Sequence, residues 1–157
     1  MEKINEHQSA SRNDGYLIST DPSKLDISVI HHYLSKESYW AQNIPLETVE
    51  RSVANSFCFG LYHKHKQVGF ARLITDKATF AYLADVFILP EHRGKGLSKW
   101  MIGFIHSHPE MQGLRRWMLG TKDAHGLYKQ FGWVPLSEEV IPRFMQFHQP
   151  DVYKAQS

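Results

Sequence analysis

The sequence is poor in cysteine, since Cys58 is the only one among its 157 residues. An internal disulfide is therefore excluded, and a reducing cytoplasm is the expected location. Long apolar runs are also absent: no window approaches the roughly 18 apolar residues of a membrane span. The polar residues 1–14 lack the apolar stretch of a signal peptide. These absences predict a soluble chain with no membrane partner.

Charge of one sign is never concentrated in the sequence, because its 18 basic and 16 acidic residues are spread along the chain. Such a pattern gives no reason to expect a nucleic-acid partner. The 10 histidines include the neighbouring pairs His63/His65 and His106/His108, but these lack companion ligands at zinc spacing. No metal is therefore expected.

What the sequence does contain is enough apolar material for one core, with 42% hydrophobic and 13% aromatic residues. This composition predicts a single α/β or α+β domain over residues 15–157, preceded by a polar, flexible tail over residues 1–14. Cys58 lies in the apolar run Phe57-Cys58-Phe59. We interpret it as a buried packing residue rather than a catalytic thiolate, because no Cys/His motif surrounds it.

Hydrophobic periodicity and turn signals divide the chain into alternating elements. Residues 80–89 are predicted to form a strand. They are apolar at both alternating sets of positions, as in a central strand covered on both faces. Asp21-Pro22 is predicted to cap the first helix. The other predicted strands cover residues 15–20, 56–62, 68–75, 114–119, 133–135 and 144–147, and the other predicted helices cover residues 45–55, 96–106 and 124–131, the last closed by Gly132.

A glycine turn joins the central strand to the following helix, with the sequence Arg93-Gly94-Lys95-Gly96-Leu97-Ser98. Glycines allow backbone N–H groups to turn inward, and the positive end of the helix dipole adds to them. With the side chains of Arg93, Lys95 and Lys99, this turn is a candidate cradle for a diphosphate. The alternative is a tight strand-to-helix turn with solvated basic side chains. The spacing matches neither a Walker loop nor the dinucleotide fingerprint.

The turn resembles the signature of the GNAT superfamily of acyl-CoA-dependent N-acyltransferases, which is Arg or Gln, two residues, Gly, one residue, then Gly or Ala. Arg93 and Gly96 match it, and Ser98 replaces the last small residue. The stretch from Ala124 to Trp133 is similar to a second family motif, Ala, two residues, Leu-Tyr, two residues, aromatic-Gly-aromatic. The resemblance implies a mixed, mostly antiparallel sheet of about six to seven strands, with helices on both faces.

The resemblance also implies acetyl-coenzyme A as co-substrate and suggests which residues bind it. The turn would bind the pyrophosphate, and Thr121 stands where many members carry a cofactor-contacting asparagine. Strand backbone would pair with the pantetheine arm, and backbone N–H groups of the same stretch would polarise the acetyl carbonyl. The implied cofactor-binding residues are Val86, Phe87, Ile88, Arg93, Gly94, Lys95, Gly96, Leu97, Ser98, Lys99 and Thr121.

Two residues are candidates for the chemistry. Tyr128 resembles the family tyrosine that faces the coenzyme sulfur, where a phenol supplies the proton or a hydrogen bond to the leaving thiolate; the alternative is a core residue at helical spacing with Leu127 and Phe131. Asp85 is a lone charge in an apolar strand and needs a partner. That partner is either a cationic amine substrate or a base on a neighbouring strand such as Arg72.

Acceptor binding is expected near Tyr39 and Trp40, in the connection that closes over the acceptor in the superfamily, and at Tyr82. Their aromatic faces suit an amine cation or an aromatic ring, although a hydrophobic lid without selectivity is an equal alternative. The leading hypothesis is an N-acetyltransferase for the primary amine of a small molecule, as a monomer or homodimer. Protein N-termini, lysines, or a non-catalytic acyl-CoA-binding module are the alternatives.

Overall fold

The computed structural model of the chain describes residues 7–154. Its centre is a six-stranded sheet in the order β1-β2-β3-β4-β5-β6. All neighbours are antiparallel except β5 and β6, which are parallel. The mixed, mostly antiparallel sheet predicted from the sequence is confirmed. The strands are β1 (Ser9–Ser11), β2 (Tyr16–Ser19), β3 (Phe57–His63), β4 (Lys66–Thr75), β5 (Phe80–Ile88) and β6 (Arg116–Leu119).

Within residues 7–154, four α-helices cover the two faces of the sheet: α1 (Ile27–His32), α2 (Leu46–Ala54), α3 (Leu97–Ser107) and α4 (His125–Lys129). Side chains alternate between the two faces of a strand. Phe59 and Leu61 of β3 therefore pack in one core with α3. Cys58 packs on the other face, in a second core with α1 and α2. Cys58 is buried there. The first of these, the α3 core, also contains the buried α3 side chains of Leu97, Met101, Ile102 and Ile105.

The first helix begins later than the sequence predicts. Asp21 caps only the 3₁₀ turn Pro22–Lys24, whereas Asp26 caps α1 by accepting the Ser28 and Val29 N–H groups. Both aspartates satisfy exposed N–H groups, so sequence alone does not separate them. α1 then widens into a π-helical turn, Tyr33–Glu37.

The prediction that the central strand is covered on both faces is wrong for its first half. Ala81 and Leu83 are buried, but Phe80 and Tyr82 are exposed, and Tyr82 borders an open cavity. Further along, β5 carries a bulge. Ala84 pairs with Arg72 and Phe87 with Phe70, so Asp85 and Val86 together oppose one residue of β4.

Both ends of the chain differ from the sequence prediction. Residues 9–11 of the expected tail form β1, and residues 1–6 lie outside the described part. The two late strands predicted at residues 133–135 and 144–147 are wrong, since neither is paired in the structure. Gly132 ends α4 with φ +91°, while the Trp133 N–H bonds back to the Tyr128 carbonyl. Within residues 7–154 no helix is long and apolar enough to cross a membrane.

Candidate active site

A wedge opens in the sheet between its two parallel strands. β5 and β6 pair from Phe80 opposite Arg116 to Leu83 opposite Leu119, and β6 ends there, whereas β5 continues to Ile88. The backbone of Val86, Phe87 and Ile88 therefore borders the wedge. The cofactor role predicted for these residues requires such a gap.

The bulge in β5 turns Asp85 away from the α3 core. Ala81 and Leu83 point into that core, and a regular period of two would send residue 85 the same way. The extra residue reverses the alternation, so that Val86 and Ile88 contact the α3 core instead. Asp85 adopts a left-handed conformation with φ +54°, which aspartate tolerates better than most residues.

The Asp85 carboxylate has two hydrogen-bond donors. The Arg72 Nε donates to its Oδ2 at 2.9 Å and the Trp40 Nε1 donates to its Oδ1 at 2.8 Å. The side chains of Arg72 and Asp85 are only 15% and 10% exposed, and Arg72 also donates to the Ser56 hydroxyl at 3.1 Å. The structural partner expected as one alternative is thus present. Each carboxylate oxygen still has a lone pair for a further donor.

A cavity of about 720 Å³ lies beside this carboxylate. Its wall includes the three residues predicted to bind the acceptor, Tyr39, Trp40 and Tyr82, together with Asp85 and Tyr128. The Lys122 backbone N–H donates to the Tyr39 hydroxyl at 3.1 Å, which joins the α1–α2 connection to the loop after β6. The structure thus brings both catalytic candidates and the acceptor candidates to one cavity.

Tyr128 lies on α4 and is buried at the edge of this cavity. Burial raises the pKa of its hydroxyl to about 12. No group among residues 7–154 forms a hydrogen bond with that hydroxyl. The phenol is therefore neutral at physiological pH, and its proton is available to a bound ligand.

The glycine turn has the open geometry of an anion cradle. Gly94 and Gly96 have φ +78° and +71°, and a Cβ built on either would meet no atom within 4 Å. Gly96 is the N-cap of α3, so the first N–H groups of that helix, among them those of Leu97, Ser98 and Lys99, have no partner within it. The turn therefore combines an open backbone with N–H groups that are free of intrahelical partners.

The basic side chains of the turn differ in what they contact. The Arg93 guanidinium donates to the Ile88 carbonyl at 2.9 Å and to the Tyr33 hydroxyl at 3.1 Å, so it fastens the turn to β5 and the π-helical turn. Lys95 and Lys99 are exposed. Arg12, which the sequence analysis missed, donates to the Lys95 carbonyl at 3.0 Å and pairs with Asp14. No local pattern could have linked two residues so far apart.

Thr121 fulfils a backbone role in this structure. Its Oγ1 accepts the Ala124 N–H at 3.0 Å, which supports the start of α4, while the residue also lines the cavity. The cavity-lining residues Lys122 and Tyr153 were also missed by the sequence analysis, since neither lies in a recognisable motif.

Within the described residues no three His, Cys, Asp or Glu side chains lie together as a metal site would require.

Comparisons with known proteins agree with this architecture. A family model described as the acetyltransferase (GNAT) domain matches residues 54–135. A Gibberella zeae protein, named as a candidate acetyltransferase, is 38% identical over 125 residues, which is 68% of this chain and 70% of that protein.

Solved structures show the same fold. A candidate acetyltransferase of the GNAT family from Xanthomonas campestris pv. campestris is 48% identical, with a TM-score of 0.84 over 88% of this chain and 96% of that one. A GNAT family acetyltransferase from Elizabethkingia anophelis, solved with acetyl-CoA bound, is 10% identical with a TM-score of 0.56, over 76% of each chain. At that identity the likeness concerns the fold alone.

Proposed function

Because the chain belongs to the GNAT acetyltransferase family, we propose that it transfers an acetyl group from acetyl-coenzyme A to the primary amine of a small molecule. The amine attacks the thioester directly while both substrates are bound. The observation that carries this proposal is the meeting of the wedge, the cavity and Tyr128 at the carboxyl ends of β5 and β6.

The cofactor would lie along the wedge and the glycine turn. The N–H groups from Gly94 to Lys99 would hold the pyrophosphate, because the turn is open and the N-terminus of α3 faces it. The backbone of Val86 to Ile88 would pair with the pantetheine arm. Acetyl-coenzyme A supplies the activated acyl group, and no role is proposed for a metal, a nucleic acid or a membrane.

The transfer needs three events: a new C–N bond, a broken C–S bond, and movement of one proton from the amine to the sulfur. Tyr128 would donate a hydrogen bond or its proton to the leaving thiolate. A phenol with a pKa of about 12 holds its proton more firmly than a thiol does, so stabilising the thiolate by a hydrogen bond is its main contribution. Asp85 would orient the ammonium group and accept its proton, directly or through water.

The cavity favours a small acceptor over a polypeptide. Its volume of about 720 Å³ lies within the range of small-molecule sites. The hydrogen bond between Tyr39 and the Lys122 backbone also spans two loops at the cavity and restricts the space for an extended chain. Tyr39, Trp40 and Tyr82 offer aromatic faces to a cationic amine. We further propose that the reaction takes place in the cytoplasm.

A thiol-release screen over a library of small amines tests the proposal. We expect free coenzyme A to appear only when acetyl-coenzyme A and a suitable amine are both present, and not with Gly96→Asp, which should fail to bind the cofactor. A non-catalytic binding module would bind coenzyme A without amine-dependent release. Release with lysine peptides or N-terminal peptides alone would instead assign a protein acceptor.

A further inference from the structure

The two oxygens of the Asp85 carboxylate are held by two different side chains. The Arg72 Nε donates to Oδ2 at 2.9 Å, while the Nη1 of the same guanidinium donates to the Ser56 hydroxyl at 3.1 Å. Oδ1 receives the Trp40 indole N–H at 2.8 Å. A bidentate arginine would fix both carboxylate oxygens by itself. Here the orientation of the carboxylate plane depends on Trp40 as well.

The two donors come from different parts of the fold. Arg72 lies on β4 and pairs across the sheet with Ala84, the residue before Asp85. Trp40 lies in the connection between α1 and α2, 45 residues earlier in the sequence. Asp85 itself has a left-handed backbone conformation, with φ +54°. The bulged backbone, the sheet and the α1–α2 connection therefore all contribute to the direction of this carboxylate.

The turn that carries Trp40 is fastened by a buried hydroxyl group. Ser38 is 1% exposed, and its Oγ donates to the Leu34 carbonyl at 2.6 Å and accepts the Ala41 N–H at 3.1 Å. The Ser38 backbone N–H donates to the Tyr33 carbonyl at 2.8 Å, where the π-helical turn ends. Local hydrogen bonds of this kind fix a turn without help from other elements. Trp40 is therefore presented by an ordered turn.

Aromatic contacts fix the orientation of the Trp40 indole. Its ring lies edge-on to Tyr39 at 5.0 Å and tilted to Tyr33 at 6.4 Å. Tyr33 in turn stacks on Phe87 of β5 at 4.0 Å. An indole N–H lies in the plane of its ring and can only donate. The edge of the Trp40 ring, rather than its face, is thus directed at Asp85.

Resting on the acceptor role proposed above for Asp85, we propose that Trp40 is a positioning residue for that carboxylate. Its indole N–H holds the carboxylate in the orientation that leaves a lone pair free for the amine in the cavity, which both residues line. Without this donor, the carboxylate can turn about its Cβ–Cγ bond. Orientation of a reacting group contributes strongly to rate, so the loss should slow the reaction of bound amine.

A double-mutant cycle on kcat/KM tests whether Trp40 acts through Asp85, with the amine that the thiol-release screen identifies as the probe. Trp40→Phe keeps an aromatic ring and removes the N–H, and its fold should be intact because Trp40 is 41% exposed. We expect it to lower kcat/KM by about tenfold, with coenzyme A affinity unchanged. In an Asp85→Asn background, the same change should have no further effect.

Tyr82→Leu is the matched control for the cycle. Tyr82 is a cavity aromatic that forms no hydrogen bond with Asp85 within residues 7–154. Its effect on kcat/KM should therefore be the same in the wild-type and the Asp85→Asn backgrounds. A Trp40→Phe effect that is equally large in both backgrounds would assign Trp40 to direct contact with the acceptor and overturn the proposal. Wild-type kcat/KM in Trp40→Phe would overturn it too.

Nitrogen-15 NMR of the free protein measures the hydrogen bond without any substrate. The chain has 4 tryptophans, and the indole signal that is missing from Trp40→Phe belongs to Trp40. In the wild type, this N–H should exchange with water roughly tenfold more slowly than that of free tryptophan. Asp85→Asn should shift the signal, because asparagine has one acceptor oxygen and the charged Arg72 competes for it.

The outcomes separate this proposal from the proposed function. Exchange as fast as that of free tryptophan in the wild type would show that the bond is absent and would overturn the positioning role. Neither this rate nor kcat/KM of Trp40→Phe depends on whether Asp85→Asn folds. No thiol release by the wild type with any amine would instead overturn the proposed function, and the positioning role with it, even where the indole N–H is protected.

Discussion

At the scale of single residues, the role proposed for Tyr128 differs from that of the tyrosines that only line the cavity. Burial raises its pKa to about 12, so the hydroxyl stays protonated over the whole range in which the protein is expected to work. A neutral phenol that has no hydrogen-bond partner among residues 7–154 is suited to a ligand that becomes negative during the reaction. Such a group should affect the chemical step more than binding.

Tyr128→Phe should therefore lower kcat by about 10²- to 10³-fold, as typical for loss of one hydrogen-bond donor to a developing anion, with coenzyme A affinity nearly unchanged. Steady-state kinetics and calorimetry measure the two effects. Tyr153→Phe, at another cavity tyrosine, is the control and should retain turnover. Wild-type turnover in Tyr128→Phe would restrict the residue to packing.

Asp85 has both a protein partner and access to the cavity, so its two proposed roles must be separated by experiment. Asparagine has the same side-chain shape as aspartate and tolerates the left-handed backbone conformation equally well. Asp85→Asn therefore removes the charge with little backbone strain. As an acceptor ligand, it should raise KM for the amine and shift the pH dependence of kcat/KM. Coenzyme A binding should be retained.

A purely structural pair predicts the opposite pattern for Asp85→Asn. Leaving the Arg72 charge without its partner should destabilise the fold by roughly 3–5 kcal/mol. Thermal melting measures this loss alongside the kinetics. Ser56→Ala is the control, because it removes the other hydrogen bond of the Arg72 guanidinium and leaves the carboxylate of Asp85 in place. A large melting drop with unaltered amine KM would remove Asp85 from the acceptor site.

At the scale of elements, the turn before α3 is proposed to bind the pyrophosphate of the cofactor, because its backbone is open and it lies at the N-terminus of a helix. Gly96→Asp places a carboxylate where the cofactor phosphates are expected, so coenzyme A binding should fall by at least 100-fold. Gly113→Asp is a matched control, because Gly113 also has a positive φ of +81° and open space around its Cα. Calorimetry on both variants measures the difference. Equal affinities would show that the pyrophosphate binds elsewhere.

Elements that depend on local patterns could be predicted from the sequence. The β3–β4 hairpin and α3 follow from period-two and helical spacing, and the structure has them close to the expected bounds. The bulge at Asp85 could not be predicted, because it depends on pairing with β4 and on a left-handed residue within an apolar run. The sequence did single out Asp85 as a lone charge, and that signal correctly indicated an unusual position.

Contacts between distant residues were the second part that the sequence could not predict. Arg12 was assigned to a flexible tail, yet it binds the carbonyl of Lys95. Trp40 was expected to contact the acceptor through its aromatic face, and its indole N–H also binds Asp85. Residues 144–147 have the composition of a strand, but a strand forms only where it pairs with another, and in the structure these residues pair with no strand of residues 7–154.

At the scale of the whole molecule, three histidines make stability depend on pH. Burial lowers the pKa of His92, His106 and His108 in the folded protein. The unfolded chain, with histidine near pH 6.5, then binds more protons than the folded one, so stability falls as the pH falls through that value. His106 also accepts the Trp133 Nε1–H at 2.8 Å, a bond that protonation of its Nε2 removes.

We therefore expect the melting temperature to fall between pH 7.5 and 5.5. His106→Gln keeps an acceptor for Trp133 but does not titrate, so its melting temperature should fall less over the same range. Scanning calorimetry at several pH values makes the comparison. Identical slopes for the variant and the wild type would show that His106 does not contribute to the pH dependence.

The hydrogen bond from Arg12 to the Lys95 carbonyl has a thermodynamic consequence for cofactor binding. A glycine-rich loop free in solution would lose conformational entropy when it closes on a ligand, and that loss weakens binding. Arg12, held by Asp14 and stacked at 5.4 Å on the Trp100 ring, orders the loop before any ligand arrives. Part of the entropy would thus be lost during folding, so Arg12, the residue that follows β1, would contribute to the proposed cofactor affinity by preorganisation.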